Sequence, residues 1–253
     1  MSASSAEAAA ALLLEVRRGG VALAELPAAL RPADAAQAHA IQDAVNRRLG
    51  AIGGWKVSPI RDDAAPGCAP IPATAVLASP AQLPPGMRAS AEVEGEIAAT
   101  LAHDLPPRGT PYTPEDLRAA VAALHPAIEL LGSRFQDRKA VSPMSGVADA
   151  QGNAGIVFGA GVADWQGLDL ATTAMRMSVD GVEVAKAETG ADIGNLLASL
   201  AWLANHAAGR TGGLRKGDVI ITGARISPQR VGRSANTVAL EVVGLGRAEF
   251  HFA

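Results

Sequence analysis

The stretch SAEVEGEIAATL, residues 90–101, combines the composition of a β-strand with a glutamate at every second position. Side chains alternate between the two faces of a strand, so Glu92, Glu94 and Glu96 are expected on one side. Like charges held this close are unfavourable unless something compensates them. The stretch therefore indicates either the solvated face of an edge strand or a cation site, and the spacing alone favours the solvated face.

Strand patterns continue along the chain from Ala91 onward. The dipeptide Asp180-Gly181 between two strand-like segments predicts a hairpin, and KGDVIITGA, NTVALEVVG and GRAEFHFA predict three late strands. Helical patterns cover residues 5–18 and 34–49. We therefore expect an α+β fold in a single domain, 1–253, with an N-terminal helical region, 1–50, followed by a β-rich body, 51–253.

Three segments carry more local predictions. TPEDLRAAVAALH, residues 113–125, indicates a capped helix, and the segment from 191 to 210 indicates a long helix that ends near Gly209. Residues 61–88 are rich in Pro, Ala and Gly and predict a long loop. A loop of that length in a compact domain is usually functional or mobile, and its composition permits a lid over a site.

Composition excludes several classes of function. The chain has 253 residues, a net charge of −3 and 3% aromatic residues, without a basic stripe interleaved with aromatics, so nucleic acid is not an expected partner. The single cysteine, Cys68, excludes an intramolecular disulfide framework and a thiolate metal cluster. No apolar run is long enough to span a membrane and no signal-peptide pattern is present. We therefore expect a cytoplasmic protein.

A further carboxylate stands in an unusual setting. Glu129 lies between apolar side chains in the strand-like segment HPAIELLG, where an unpaired ionised group would be costly if buried. If Glu129 met Glu94 and Glu96, the three carboxylates would form an oxygen-only site suited to Mg²⁺ or Mn²⁺. Lys56 in GGWKVSPI could then transfer a proton or stabilise an enolate, although a surface lysine is the commoner outcome for this pattern.

Polar residues are grouped in VADAQGNAGIVFG, where Asp149, Gln151 and Asn153 precede an apolar run. They could orient a water or a substrate carboxylate, or they could form an ordinary turn, which favours the same residue types. The five histidines have no HxxxH or HxH spacing, which gives little support to a zinc site. No GxSxG, P-loop or GxGxxG stretch is present.

Several segments together resemble a known family. GWKVS, VEGEIA, HPAIELLGSR, VADAQGNAG, LASLAWLAN and LRKGDVIITGA occur in the order and spacing of the 2-keto-4-pentenoate hydratase family. That family includes the 2-oxo-hex-3-enedioate decarboxylases and belongs to the fumarylacetoacetate hydrolase superfamily. The resemblance covers nearly the whole chain, and its most specific element is the two-glutamate strand followed about 33 residues later by AIELLGSR.

The resemblance implies a fold and a site. The fold would be a catalytic body of mixed sheets with an N-terminal helical region, in a protein that assembles as a homo-oligomer. Glu94, Glu96 and Glu129 would bind Mg²⁺ or Mn²⁺, which favours the cation site over the solvated face. Lys56 would lie beside the substrate, and Asp149 near the pocket could position water. The substrate contacts implied are Ser58, Gln151, Asn153 and Thr222.

The implied activity is hydration of 2-hydroxypenta-2,4-dienoate, or a related unsaturated 2-oxo acid, to a 4-hydroxy-2-oxo acid. The alternative is decarboxylation of 2-oxo-hex-3-enedioate (4-oxalocrotonate), which needs the same three glutamates. Less favoured are hydrolysis of a C–C bond in an acylpyruvate-type substrate and a catalytically silent subunit that binds a partner. Hydratases and decarboxylases of this family can associate, so a pathway partner is a further possibility.

Two departures from the family pattern concern the substrate contacts. The lysine motif usually continues with glycine and then Thr or Ser, whereas this chain has Ser58-Pro59-Ile60. Proline fixes φ and removes a backbone donor. The family's GHPL segment is ADIGNLL here, so its histidine is missing. The resemblance therefore allows retained chemistry on a different substrate.

Overall fold

The computed structural model of the protein describes residues 1–61, 65–83, 92–232 and 234–252. Two long helices open the chain, and Asp34 caps the second by accepting a hydrogen bond from the Gln37 backbone N–H. This confirms the predicted N-terminal helical region. The helices are α1 (Ala3–Arg17), α2 (Ala35–Leu49), α3 (Pro114–Ala120), α4 (Pro143–Ala148) and α5 (Ile193–Thr211).

Strands are the most frequent elements in the described part of the chain after α2, as expected for an α+β fold. They are β1 (Ile52–Val57), β2 (Cys68–Pro72), β3 (Val76–Ala78), β4 (Ala81–Leu83), β5 (Glu92–Leu101), β6 (Val121–Leu131), β7 (Asn153–Phe158), β8 (Met175–Val179), β9 (Val182–Ala187), β10 (Val219–Ile221), β11 (Ile226–Arg230), β12 (Thr237–Val242) and β13 (Gly246–Phe252). The predicted hairpin joins β8 and β9, and both of its turn residues have positive φ.

The strands form two sheets of mixed direction. One has the order β2-β1-β10-β5-β6-β7-β3, with β11 also paired to β5, and the other has the order β4-β13-β12-β8-β9. The pairs β1/β10, β3/β7 and β4/β13 are parallel, and the other pairs are antiparallel. Strands β12 and β13 pack against β6, so the two sheets share a core built mainly from aliphatic side chains.

The helical region has a core of its own. Small and aliphatic side chains of α1, α2 and α4 are buried together around Leu26 and Phe135. Alanines on α1 and α2 allow the two helices to approach closely. Within the described residues, no helix combines the length and the apolar character that crossing a bilayer requires.

Two local predictions were wrong. The helix predicted over 113–125 ends at Ala120, and Val121 begins β6, because the segment from Val121 to Leu131 pairs with β5. The loop predicted over 61–88 contains β2, β3 and β4, while 62–64 and 84–88 lie outside the described residues. Strand β2 tolerates Pro70 and Pro72 because it is an edge strand of its sheet.

Candidate metal centre and substrate pocket

Three glutamates converge on one face of the larger sheet. Glu94 and Glu96 project from β5, and Glu129 on β6 is the direct cross-strand partner of Glu94. Each contributes a carboxylate oxygen to a group in which all these atoms lie within 4.8 Å of one another. Glu96 and Glu129 are buried, with 1% and 0% exposure, and Glu94 is partly buried. The carboxylates of Glu94, Glu96 and Glu129 therefore do not form the solvated face of an edge strand.

The two oxygens of Glu129 have different surroundings. Oε1 accepts hydrogen bonds from Lys56 Nζ at 2.7 Å and from Asn153 Nδ2 at 2.8 Å. Oε2 is buried and has no hydrogen-bond partner among the described residues. Because a buried carboxylate oxygen without a partner is unfavourable, this atom fits a ligand position for a cation. The residues present therefore fit a divalent metal.

Glu96 is oriented by the turn that follows β10. The Gly223 backbone N–H donates a hydrogen bond of 2.6 Å to Glu96 Oε2. Gly223 has φ of +96°, and a Cβ at this position would lie 2.5 Å from Pro59 Cδ. The preceding Thr222 is anchored to β5 because its backbone N–H and its hydroxyl both donate to the Ile97 carbonyl. Glycine is therefore required where the chain presents its N–H to Glu96.

The charges at the centre perturb one another. Burial and the neighbouring Glu129 raise the pKa of Glu94 to about 7 and raise the pKa of Glu96 well above its ordinary value. Burial disfavours the charged form of Lys56, but the charge and hydrogen bond of Glu129, with help from Glu96, outweigh this and raise the pKa of Lys56. A positive charge is therefore held beside the carboxylates, and more positive charge would be favourable there.

A cavity of about 440 Å³ opens directly onto this centre. Besides the three glutamates and Lys56, its described walls include two other residues predicted to touch the substrate, Ser58 and Gln151. Ser58 Oγ accepts a hydrogen bond of 2.8 Å from the Gly67 backbone N–H, and Gln151 has a φ of +55°. The volume of this cavity is in the range of small-molecule binding sites.

The Ser58-Pro59-Ile60 departure has a structural basis. The Ile60 backbone N–H donates to Ser199 Oγ at 3.1 Å, and Asn195 Nδ2 donates to the Ile60 carbonyl at 2.8 Å. Both partners lie on α5, so the segment is fixed to this helix. Pro59 itself lines the cavity and contacts the Gly223 turn, so it shapes the wall beside Glu96.

The other predicted residues lie outside the cavity wall. Asp149 is buried and accepts hydrogen bonds from Ser133 Oγ at 2.8 Å and from the side chain of Arg134, so it lies in a neighbouring cleft and not beside Lys56. Asp149 is not among the described residues that line the cavity. Asn153 lines the same cleft and donates a hydrogen bond to Glu129, while Thr222 anchors the Gly223 turn to β5.

Sequence reasoning missed two arginines in the cavity wall, Arg61 and Arg138. It also left Glu92 without a role. Glu92 lies on the same face of β5 as Glu94, and its carboxylate pairs with Arg138 Nη2 at 3.1 Å and with Arg230 Nε at 3.4 Å. Arg61 and Arg138 lie in irregular segments, whose sequence has no periodicity from which their positions could be predicted. The one signal in the sequence was the alternation of β5, which puts Glu92 on the same face as Glu94.

Comparison with known proteins agrees with this geometry. The model of the fumarylacetoacetate (FAA) hydrolase C-terminal family matches residues 54–253, which include all three glutamates and Lys56. A solved 4-oxalocrotonate decarboxylase from Pseudomonas putida G7, complexed with magnesium and adipate, superposes with a TM-score of 0.85. That match has 21% identity and covers 100% of this chain and 99% of the other, so the two proteins share a fold.

Curated relatives have two different activities in their names. A 2-keto-4-pentenoate hydratase from Burkholderia vietnamiensis is 34% identical over 161 residues, which is 64% of this chain and 60% of the hydratase. A 4-oxalocrotonate decarboxylase from a Pseudomonas species is 32% identical over 174 residues, covering 63% of this chain and 65% of the decarboxylase. The matched segments thus span less than two thirds of these relatives.

Proposed function

This chain belongs to the fumarylacetoacetate (FAA) hydrolase C-terminal family, and from that premise we propose that it is a divalent-metal-dependent lyase acting on unsaturated 2-oxo acids. The first candidate is hydration of 2-hydroxypenta-2,4-dienoate, or a related compound, to a 4-hydroxy-2-oxo acid, the activity named for several relatives. The observation that carries the proposal is the buried trio of carboxylates, with its unpartnered Glu129 oxygen, at the floor of a small-molecule cavity.

The proposed cofactor is Mg²⁺ or Mn²⁺ held by Glu94, Glu96 and Glu129. Three carboxylates without nitrogen or sulfur donors suit hard divalent cations, which also keep open positions for water and substrate. Related folds have been solved with magnesium and with calcium. When bound, the cation would supply Lewis-acid polarisation of the substrate's 2-oxo group and neutralise developing negative charge.

The chain's own residues have distinct proposed roles. Lys56 Nζ is fixed at 2.7 Å from Glu129 Oε1 and faces the cavity, so it can donate a proton or stabilise an enolate oxygen. Asn153 holds Glu129 through Oε1 and so leaves Oε2 for the cation. Gly223 donates to Glu96 from the turn that Thr222 anchors to β5. Ser58 and Gln151, in the cavity wall, are the proposed substrate contacts.

Asp149 has a different proposed role from the one its sequence context suggested. It accepts hydrogen bonds from Ser133 and Arg134 and lines the same cleft as Asn153. We infer that Asp149 positions the segment carrying Asn153 and does not act on substrate. Replacement of Asp149 would therefore lower both the free energy of unfolding and the affinity for the metal.

Decarboxylation of 2-oxo-hex-3-enedioate is the second candidate. It uses the same bound 2-oxo acid, and a relative and the superposed structure have this name. Its substrate has a second carboxylate, and the cavity wall contains two arginines, Arg61 and Arg138, that a monocarboxylate would not need. Because these two arginines can pair with the second carboxylate, decarboxylation is tested alongside hydration.

The test is turnover of the purified protein with 2-hydroxypenta-2,4-dienoate and with 2-oxo-hex-3-enedioate, with products identified. Each substrate is offered with Mg²⁺, with Mn²⁺ and with a chelator. We expect chelator-sensitive consumption of one substrate and at least about a 10²-fold loss in Lys56→Met. Turnover that is equally fast in chelator, or absence of turnover of either substrate with metal bound, would contradict the proposal.

A further inference from the structure

We propose that the side-chain amide of Gln151 binds the oxygen that is added at C4 of the substrate. That oxygen belongs to the attacking water before the reaction and to the 4-hydroxyl group of the product after it. This inference rests on the proposed function, because it assumes that the 2-oxo acid end of the substrate lies at the three glutamates. It gives Gln151 a role in hydration that decarboxylation does not require, since decarboxylation adds no water.

One side of Gln151 is placed by the end of β6. Leu131, the last residue of this strand, lies two residues after Glu129, and both line the cavity. The next residue, Gly132, donates its backbone N–H to the Gly152 carbonyl at 2.8 Å. Gln151, which precedes Gly152, therefore belongs to the part of the wall just beyond a proposed metal ligand. Atom C4 of a substrate bound through C1 and C2 would also lie beyond the metal.

The other side of Gln151 is placed by Gly67. The side-chain amide lies against this glycine, where a Cβ would be 2.5 Å from Gln151 Nε2 and 3.2 Å from Cδ. Gly67 is fixed to Ser58 in both directions, because its carbonyl accepts from the Ser58 N–H at 2.8 Å and its N–H donates to Ser58 Oγ at 2.8 Å. Ser58 follows Lys56 by two residues. The amide of Gln151 therefore lies between the segment that continues from Lys56 and the strand that carries Glu129.

The backbone at Gln151 is held in an unfavourable conformation. Ala150, Gln151 and Gly152 have φ values of +52°, +55° and +82°, and two of these residues carry a Cβ. The turn is closed by the Gly152 N–H, which donates to the Asp149 carbonyl at 3.0 Å. Residues held in such a conformation by their surroundings are concentrated at functional sites. Here the conformation sets a side chain into the wall of the cavity.

The amide of Gln151 matches a hydroxyl group or a water. Its side chain forms no hydrogen bond with the described residues and so keeps both an acceptor and donors. The charged groups of the described wall offer one kind of partner each, since carboxylates accept and lysine and arginine donate. Ser58 Oγ already accepts from Gly67. A neutral oxygen that must both donate and accept is therefore best matched by Gln151.

Hydration of the unsaturated 2-oxo acid forms a bond between the water oxygen and C4. The electron pair of the C3–C4 double bond moves to the 2-oxygen as an enolate, and the proton that the water gives up ends on C3, so no other reactant is consumed. Gln151 Oε1 can accept an O–H of the water, and Nε2 can donate to the hydroxyl oxygen of the product. Gln151 thus orients the oxygen and takes up no proton.

The test compares two ligands that differ only at C4. Isothermal titration of the Mg²⁺-saturated protein uses 4-hydroxy-2-oxopentanoate and 4-methyl-2-oxopentanoate, in which a methyl group replaces the hydroxyl group. We expect the hydroxy acid to bind about 3- to 10-fold more tightly to the wild type. Gln151→Leu should invert this preference, because leucine packs on the methyl group and leaves the hydroxyl group without a partner. Mg²⁺ binding in the same titration shows that the variant is folded.

Gly67→Ala is a second variant that keeps Gln151 itself. Its methyl group would displace the end of the flexible Gln151 side chain, so the preference for the hydroxy acid should fall toward equal affinity. Two matched controls should keep the wild-type preference. Gln82→Leu changes an exposed residue of β4 outside the described wall, and Gly167→Ala adds a Cβ that meets no described heavy atom within 4 Å.

The outcomes separate this inference from the proposed function. Equal affinity of the wild type for the two acids, or the wild-type preference in Gln151→Leu, would overturn the role of Gln151 and leave the proposed function standing. If neither acid bound to protein that binds Mg²⁺, the proposed function would fall and the role of Gln151 with it.

Discussion

Replacement of Lys56 by Met tests whether the lysine is the permanent counter-ion of the glutamate cluster. Met has a similar length and no charge, so Glu129 would keep only Asn153 as a donor to Oε1. The ion pair is buried, with side-chain exposures of 14% for Lys56 and 0% for Glu129. Removing one partner of a buried pair typically costs about 3–5 kcal/mol, because it leaves a buried charge uncompensated.

The assay is urea denaturation in the presence of a chelator, with the free energy of unfolding compared between variants. Lys56→Met should lose about 3–5 kcal/mol. Lys186→Met is the matched control, because the Lys186 side chain is 54% exposed and pairs with Glu188 at the surface, where a pair is worth about 0–1 kcal/mol. Mg²⁺ at about 100 times its Kd should restore roughly 2.7 kcal/mol to any variant that still binds it.

A double-mutant cycle isolates the pair itself. In chelator, Lys56→Met combined with Glu129→Gln should cost less than the sum of the single changes, by about 1–3 kcal/mol, since the neutral amide no longer needs the ammonium. The reasoning is refuted if Lys56→Met costs no more than Lys186→Met, or if the two changes at the centre are simply additive.

Two further predictions concern the surroundings of the centre, and a third concerns His39 on α2. Asn153→Leu should weaken Mn²⁺ binding about 10- to 100-fold by removing a partner of a ligand, measured by titration calorimetry, with unchanged affinity contradicting its role. Gly223→Ala should distort the turn that donates to Glu96 and lower Mn²⁺ affinity in the same assay, and wild-type affinity would show that this N–H does not matter. Burial and the charge of Arg210 lower the pKa of His39 from 6.5 to about 4 in the folded protein. As the pH falls, His39 is therefore protonated in the unfolded chain before it is protonated in the folded one, and this favours unfolding. Stability should therefore fall as the pH drops from about 6.5 to about 4, and His39→Gln should flatten this part of the pH profile of urea midpoints; an unchanged profile would exclude the effect.

Local patterns were sufficient to predict much of the fold. Alternation identified β5, the Asp180-Gly181 turn identified the β8–β9 hairpin, and Asp34 marked the start of α2. The segment after Thr113 was predicted wrongly because its helical residues run into a strand whose partner, β5, lies elsewhere in the sequence. Strand β2 was missed because its two prolines resemble a loop until its edge position is known.

The site could be predicted only in part, for a similar reason. The pairing of Glu94 with Glu129 depends on the register of β5 and β6, which the resemblance to a family implied and alternation alone did not. Nothing local in the sequence distinguishes Asn153, which donates to Glu129, from Asp149, which points into a separate cleft. Arg138 lines the cavity and pairs with Glu92, and this contact joins residues 46 positions apart.

The central claim is that Glu94, Glu96 and Glu129 form one divalent-cation site. The most direct measurement is equilibrium binding of Mn²⁺ to the wild type, to Glu129→Gln and to Glu115→Gln, the last being a surface control whose side chain is 83% exposed. We expect one Mn²⁺ per chain in the wild type and in the control. In folded Glu129→Gln we expect an affinity loss that exceeds the roughly 100-fold reached when only an outer partner is removed. Wild-type Mn²⁺ affinity in Glu129→Gln would show that the three glutamates are not one cation site.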